Sequence, residues 1–312
     1  LRAFAERPAA ETGVRVHELR HRPGLLSASG SFGLEIATGC GGAAGEPRPQ
    51  LQVDYTLDHL ALPSAPLRAS WRVRPSEALA RAFATADGEL ALHGSGVLTY
   101  TGTLETDLSL PGFSFSQGGR QLTVAPSAGH LALGPTALAA HWRVDRAVAR
   151  GSREFVELGG VRLDLDLSDR RLGTGSTSLS VERIATGRGW VDGFRHASQT
   201  TEAHGRLHAR VTESLRAAAF GGETAKDLAL DMAIRDLDTH SVEAIGRLAS
   251  ATCGLQNLGA DEGAALRTAL RTLLARGFSV EVPQLAGTLG GSDVNGALTL
   301  EARQAPSAPV EL

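Results

Sequence analysis

Period two dominates this sequence. Leu51, Val53, Tyr55 and Leu57 alternate with Gln52, Asp54 and Thr56; Val161, Leu163, Leu165 and Leu167 alternate with Arg162, Asp164 and Asp166. Successive side chains of a strand point to opposite faces, so such a pattern demands strands with one apolar and one wet face. The same reading covers residues 14–18, 26–37, 67–73, 104–110, 122–124, 131–133, 139–144, 179–184, 228–234, 278–282 and 294–300. Pro23-Gly24 and the Pro63/Pro66 pair punctuate the series. So many one-sided strands predict an α+β fold that is mainly β: a long, curved antiparallel sheet with a few packing helices.

Helices are expected at three places. Ser76 reads as a cap for residues 77–84, and Ser241 precedes an apolar stretch at 242–249. In 261–276, Leu266, Ala269, Leu270, Leu273 and Leu274 form one stripe, with Asp261 and Glu262 at the start and Arg276-Gly277 at the end. Residues 206–220 fit a strand that finishes as a helix. The length of 312 residues suits one domain, with room for two lobes at about 1–150 and 151–303, and residues 304–312 read as a frayed Pro/Ala tail.

Composition excludes several classes. A net charge of -3 and 4% aromatic residues supply neither the basic face nor the stacking rings that nucleic acids require. Thirty-seven glycines mark turns and bulges, and 42% hydrophobic residues rule out wholesale disorder. No apolar run of about 18 residues spans a membrane. Cys40 and Cys253 fit no metal-binding spacing, and whether they pair stays open. The single lysine, Lys226, among thirty arginines carries no functional weight.

Gly13-Val14-Arg15-Val16 followed by Arg22-Pro23-Gly24-Leu25-Leu26-Ser27-Ala28-Ser29 resembles the opening of the YdgA-like family of proteobacterial envelope proteins, a domain of unknown function. His59-Leu60-Ala61-Leu62-Pro63 matches that family's His-Gly-Pro-Leu segment only in part, because glycine and proline are displaced. The stretch Leu228 to Asp238 with the helix after it, and the C-terminal helix followed by Phe278 to Leu285, Gly287-Thr288 and Gly290-Gly291, resemble its later units. The resemblance implies an N-terminal membrane anchor upstream of Leu1 and a periplasmic body tethered to the inner membrane. It implies no reaction and no catalytic residues.

Polar constellations point to little chemistry. Glu202, His204 and His208 share a strand face, but Arg206 and Arg210 beside them would repel a metal ion. His17 and His21 lie at a strand end. Asp164, Asp166 and Asp169, like Asp231, Asp236 and Asp238, read as wet strand faces and turn starts rather than acid–base pairs. Gly173-Thr174-Gly175-Ser176 leads into a strand, which lacks the helix N-terminus of a phosphate loop, and Gly94-Ser95-Gly96 has no nucleophile-elbow spacing. Phe113 and Phe115 fit core packing or the lip of an apolar groove.

The expected function is therefore non-enzymatic, with no cofactor and no metal: binding of lipid or another hydrophobic ligand on an apolar sheet face. Its lining would come from Leu104, Leu108, Leu110, Leu163, Leu165, Leu167, Leu228, Leu230, Met232 and Ile234. The alternative is a structural module that forms homo-oligomers or docks an envelope partner protein through a sheet edge or the helix at 261–276.

Overall fold

The structure is a computed structural model. It describes residues 14–36, 50–59, 66–75, 83–85, 92–117, 119–152, 154–251 and 258–302. Cys40 and Cys253 lie outside these residues, as does most of the helix expected at 77–84.

The chain divides into two compact units, one running to Asp164 and including Ile184–Gly187, the other comprising Leu165–Arg183 and everything from Arg188. The first holds β1 (Val14–Arg22), β2 (Ser27–Ile36), β3 (Gln50–His59), β4 (Leu67–Pro75), β5 (Phe83–Thr85), β6 (Leu92–Leu98) and β7 (Leu104–Leu110). It continues with β8 (Phe113–Gln117), β9 (Arg120–Val124), β10 (Ser127–Leu133), β11 (Leu138–Arg150) and the start of β12 (Phe155–Asp169). The second holds the rest of β12, most of β13 (Thr174–Thr186), then β14 (Gly189–Ala203), β15 (Arg206–Phe220) and β16 (Glu223–Asp238). Two helices follow, α1 (Thr239–Ala251) and α2 (Ala260–Arg276), and β17 (Phe278–Leu289) and β18 (Ser292–Ala302) close it. The chain is mainly β, and with two helices among the described residues it is closer to an all-β protein with a helical insert than to α+β.

The strand ladders of both units described below are antiparallel. In the first unit the pairings run β1–β2–β3–β4–β6–β7–β10–β11–β9–β8–β5. In the second, β14 to β18 pair in chain order. Antiparallel neighbours need only tight turns between them, and glycine supplies these: Gly205, Gly221 and Gly290 have φ of 74°, 58° and 56°.

Glycine has a second task in the first unit. Gly30 lies directly opposite Tyr55, Gly94 opposite Trp71 and Gly129 opposite Trp142. In each pair the ring reaches over the glycine, where a Cβ would collide with it. The rings thereby cover bare backbone on the apolar face, and Tyr55 is 8% exposed. Its hydroxyl pairs with His21 Nδ1 at 2.9 Å, and burial pushes the phenol's pKa up.

Three local expectations are revised. Residues 206–220 form one continuous strand. Ala217, Ala218 and Ala219 favour a helix by propensity, but each is paired on both sides, Ala217 with Asp192 and Lys226, and the ladders override that preference. Phe83 and Ala84, placed at the end of a helix by the sequence, belong to β5 and pair with β8. Helix α1 begins at Thr239, so Ser241 sits inside its first turn and Asp238 is the cap. Helix α2 matches its expected bounds, and the Gly277 N–H closes it on Leu274 O at 3.1 Å. Its stripe is narrower than expected: Ala269 is buried, while Leu270 and Leu274 are exposed.

Glycine's two tasks differ in what a side chain would cost. Gly94→Ala should lower stability by about 1–3 kcal/mol through overpacking against Trp71. Gly102→Ala, at φ 79° with open space around it, should cost about 1–2 kcal/mol from backbone strain alone. Urea unfolding with tryptophan fluorescence checks both. Only Gly94→Ala should also shift the native spectrum, because only it moves an indole.

Candidate functional site

In the second unit the registers assemble one apolar surface. Leu228, Leu230, Met232 and Ile234 project from one side of β16. Val211 faces Met232 and Leu215 faces Leu228 from β15; Val280 faces Ile234 and Leu285 faces Leu230 from β17. Leu298 and Leu300 continue the surface on β18, opposite Val282 and Val280. None of these residues is fully buried, and Leu298 and Leu300 are 53% and 57% exposed. The opposite side is ionic: Arg210 donates to Asp231 at 3.0 and 2.6 Å, and Arg235 pairs with Glu281 at 3.2 Å. The Arg210 hydrogen bonds hold the Asp231 carboxyl below its usual pKa. One break in the apolar surface is His196 opposite Glu213, joined at 3.1 Å.

The ten lining residues expected from the sequence do not share one unit. Leu104, Leu108, Leu110 and Leu163 belong to the first and the other six to the second. All ten are half-buried. Leu104 lies between Leu98 and Leu133, and Leu108 between Gly94 and Gly129, on the side that carries Trp71 and Trp142. Leu165 and Leu167 keep the alternation of β12. The four residues of β16 are the ones brought together with apolar neighbours on both flanking strands.

A second apolar depression, of about 570 Å³, lies in the first unit. Phe115 lines it with Leu122, Phe155 and Val156, and Phe155 is 39% exposed. The groove-lip reading of Phe115 thus has a counterpart in the structure.

The polar face of the first unit carries a feature that sequence reading missed. Cross-strand partners share a face, so two registers become two rungs. One runs Arg22–Ser29–Thr56–Ser70, the other Arg20–Ser31–Asp54–Arg72. They line a depression of about 650 Å³ that reaches His93 on β6. The residues are far apart in sequence, and only the registers align them. The same face carries His130 beside Asp107 at 2.9 Å and His141 beside Asp164 at 2.7 Å.

Most of the other polar candidates make local contacts that shape turns and strand ends. Glu202 accepts the Gly205 N–H at 2.8 Å and shapes the β14–β15 turn. His208 Nδ1 accepts the Asp236 N–H at 3.4 Å, and Arg206 donates to the carbonyls of Asp236, Arg276 and Gly277. Asp169 accepts the N–H groups of Arg171 and Leu172. His17 lies across Gly33. Gly173 to Ser176 opens β13, and Gly94 to Gly96 lies within β6. Among the described residues, no three His, Cys, Asp or Glu side chains are grouped to hold a metal ion, and no helix is long and apolar enough to cross a membrane.

Among the described residues, Asp238 is the most buried carboxylate, at 1% exposure. Its Oδ2 accepts from Ser241 N at 2.9 Å and Ser241 Oγ at 2.6 Å, and its Oδ1 accepts from Arg276 at 2.7 Å. It therefore caps α1 and ties the end of α2 to the end of β16. Burial pushes its pKa up, but the Ser241 hydrogen bonds, with Arg276 and Arg206, outweigh burial and hold it below the usual value. A depressed folded pKa adds stability that is complete above the unfolded value of about 4 and is lost as pH falls through the folded value. Asp238→Ala should therefore cost about 2–4 kcal/mol at pH 7 from the lost cap and buried hydrogen bonds. In urea titrations the gap between wild type and variant should narrow below about pH 4; a gap independent of pH would contradict the assignment.

Neither the curated proteins nor the solved structures contain a match to this chain. A family does match, and it spans nearly the whole sequence: Bacterial protein of unknown function (DUF945), over residues 3–311. That coverage takes in both units and every strand described above, so the chain belongs to the bacterial family of unknown function DUF945.

Proposed function

We propose that this is a YdgA-like envelope protein that binds lipid or another apolar ligand along a sheet face, without catalysing a reaction. The observation that carries the reading is the apolar surface of β15 to β18. Burying a leucine side chain is worth about 1.5–3 kcal/mol, yet Leu228, Leu230, Met232 and Ile234 are only half-buried and Leu298 and Leu300 more than half exposed. An accessible aliphatic surface of this kind is a binding surface for something apolar. Few aromatic rings interrupt it, and rows of leucine, valine and isoleucine suit an acyl chain. In this reading the protein works in the periplasm, tethered to the inner membrane by a segment upstream of Leu1, next to a supply of lipid.

A second reading has its own support. Leu298 and Leu300 stand on β18, which pairs with β17 on one side, and such a strand can add to a second copy or to a partner protein.

One pair of substitutions separates the two. Leu298→Asp and Leu300→Asp alter exposed positions and should leave thermal unfolding nearly unchanged. Lipids extracted from the purified protein are identified by mass spectrometry, while light scattering gives the solution mass. Lipid on the wild type and its loss from the variant, at constant mass, is the expected result. Protein free of lipid would contradict the first reading, and a wild-type dimer that the variant dissolves would favour the second.

A further inference from the structure

The polar depression of the first unit is rich in side-chain donors, and several of them have no partner among the described residues. Among the described residues, the guanidinium groups of Arg20 and Arg22 have no carboxylate partner. The hydroxyls of Ser29, Ser31, Thr56 and Ser70 likewise make no side-chain hydrogen bond. The one carboxylate on the wall, Asp54, is held by Arg74. Arg72 stands next to it, opposite His93. The wall therefore presents an excess of positive charge and hydroxyl groups, with its single carboxylate already engaged.

The spacing favours an oxygen-rich anion. Neighbouring strands lie about 4.8 Å apart, so the rungs from β1 to β4 span about 14 Å. Arg20 and Arg22 project two residues apart on the same side of β1, and a pair of guanidinium forks so placed can hold several oxygens of one group. The hydroxyls behind them continue the donor row inward over β2, β3 and β4. Beneath the row, Tyr55 and Trp71 project to the other face, lie across Gly30 and Gly94, and so stiffen the strands that carry the donors.

We propose that this depression binds a phosphoryl group, with Arg20 and Arg22 supplying charge and Ser29, Thr56 and Ser70 supplying neutral donors. The group could come from a phospholipid headgroup or from free phosphate, and the shared chemistry is a phosphate oxygen facing arginine. The inference does not rest on the apolar face of β15 to β18 and stands if that reading fails.

The test uses the full chain at low ionic strength with two probes, inorganic phosphate and vesicles of phosphatidylglycerol with phosphatidylcholine vesicles as the neutral reference. Isothermal calorimetry reads the first and vesicle flotation the second. The variant Arg20→Gln/Arg22→Gln is compared with Arg267→Gln/Arg271→Gln, which removes the same charge from the exposed side of α2. The proposal expects binding of at least one anionic probe, weakened tenfold or more in the first variant and within twofold of wild type in the second. Saturable phosphate binding identifies a small-anion site; binding confined to phosphatidylglycerol vesicles identifies a headgroup site. Wild type that binds neither probe, or equal weakening in both variants, overturns it. All four arginines are exposed, so thermal melts should show that both variants fold.

Discussion

Cross-strand pairing is the constraint on which the rest of this molecule depends. In an antiparallel ladder, residues directly opposite one another share a face, so the register converts scattered sequence positions into continuous rows. Here the rows have sharply different chemistry. In the first unit a rung of Gly30, Tyr55, Trp71 and Gly94 lies on one face, while the next rung, Arg22, Ser29, Thr56 and Ser70, lies on the other. In the second, Val211, Met232 and their apolar neighbours stand back to back with Arg210, Asp231, Arg235 and Glu281. A shift of one residue in any ladder would put leucine among the ion pairs, which is why the registers are tightly specified.

The two faces hold the fold by different means. The polar side contributes exposed ion pairs, each worth little in water. The apolar side gains from area removed from solvent, and in the first unit this gain depends on aromatic rings reaching over glycine. Asp238 works differently again. Its buried carboxylate draws together the end of β16, the start of α1 and the end of α2, so the helical insert is anchored by one ion and its hydrogen bonds.

Much of the fold was legible in the sequence, because period two is a local signal. Leu104–Leu110 is read from its alternation and is a strand with those bounds. The strands that escaped are instructive. In β14, Trp190, Asp192, Phe194, His196, Ser198 and Thr200 share one face, and the mixture hides the alternation. In β6, Gly94 and Gly96 leave gaps in the apolar alternation, although Gly94 is a glycine kept small by the ring of Trp71. The β15 alanines read as helix because propensity is local and pairing is not. The candidate sites were legible only in part. The apolar run of β16 is visible in sequence, while its continuation to Leu298 and Leu300, and the meeting of Arg20 and Arg22 with Thr56 and Ser70, exist only once the strands are in register.

An accessible apolar surface on β15 to β18 is the central claim for function. The most direct measurement is photocrosslinking of the purified protein to a lipid with a photoactivatable acyl chain, followed by mapping of the labelled peptides by mass spectrometry. The account predicts labels concentrated on Leu228 to Ile234 and on Leu298 and Leu300, with the ionic side carrying Arg210 and Glu281 unlabelled. Labelling spread evenly over both sides, or absent from these strands, would contradict it.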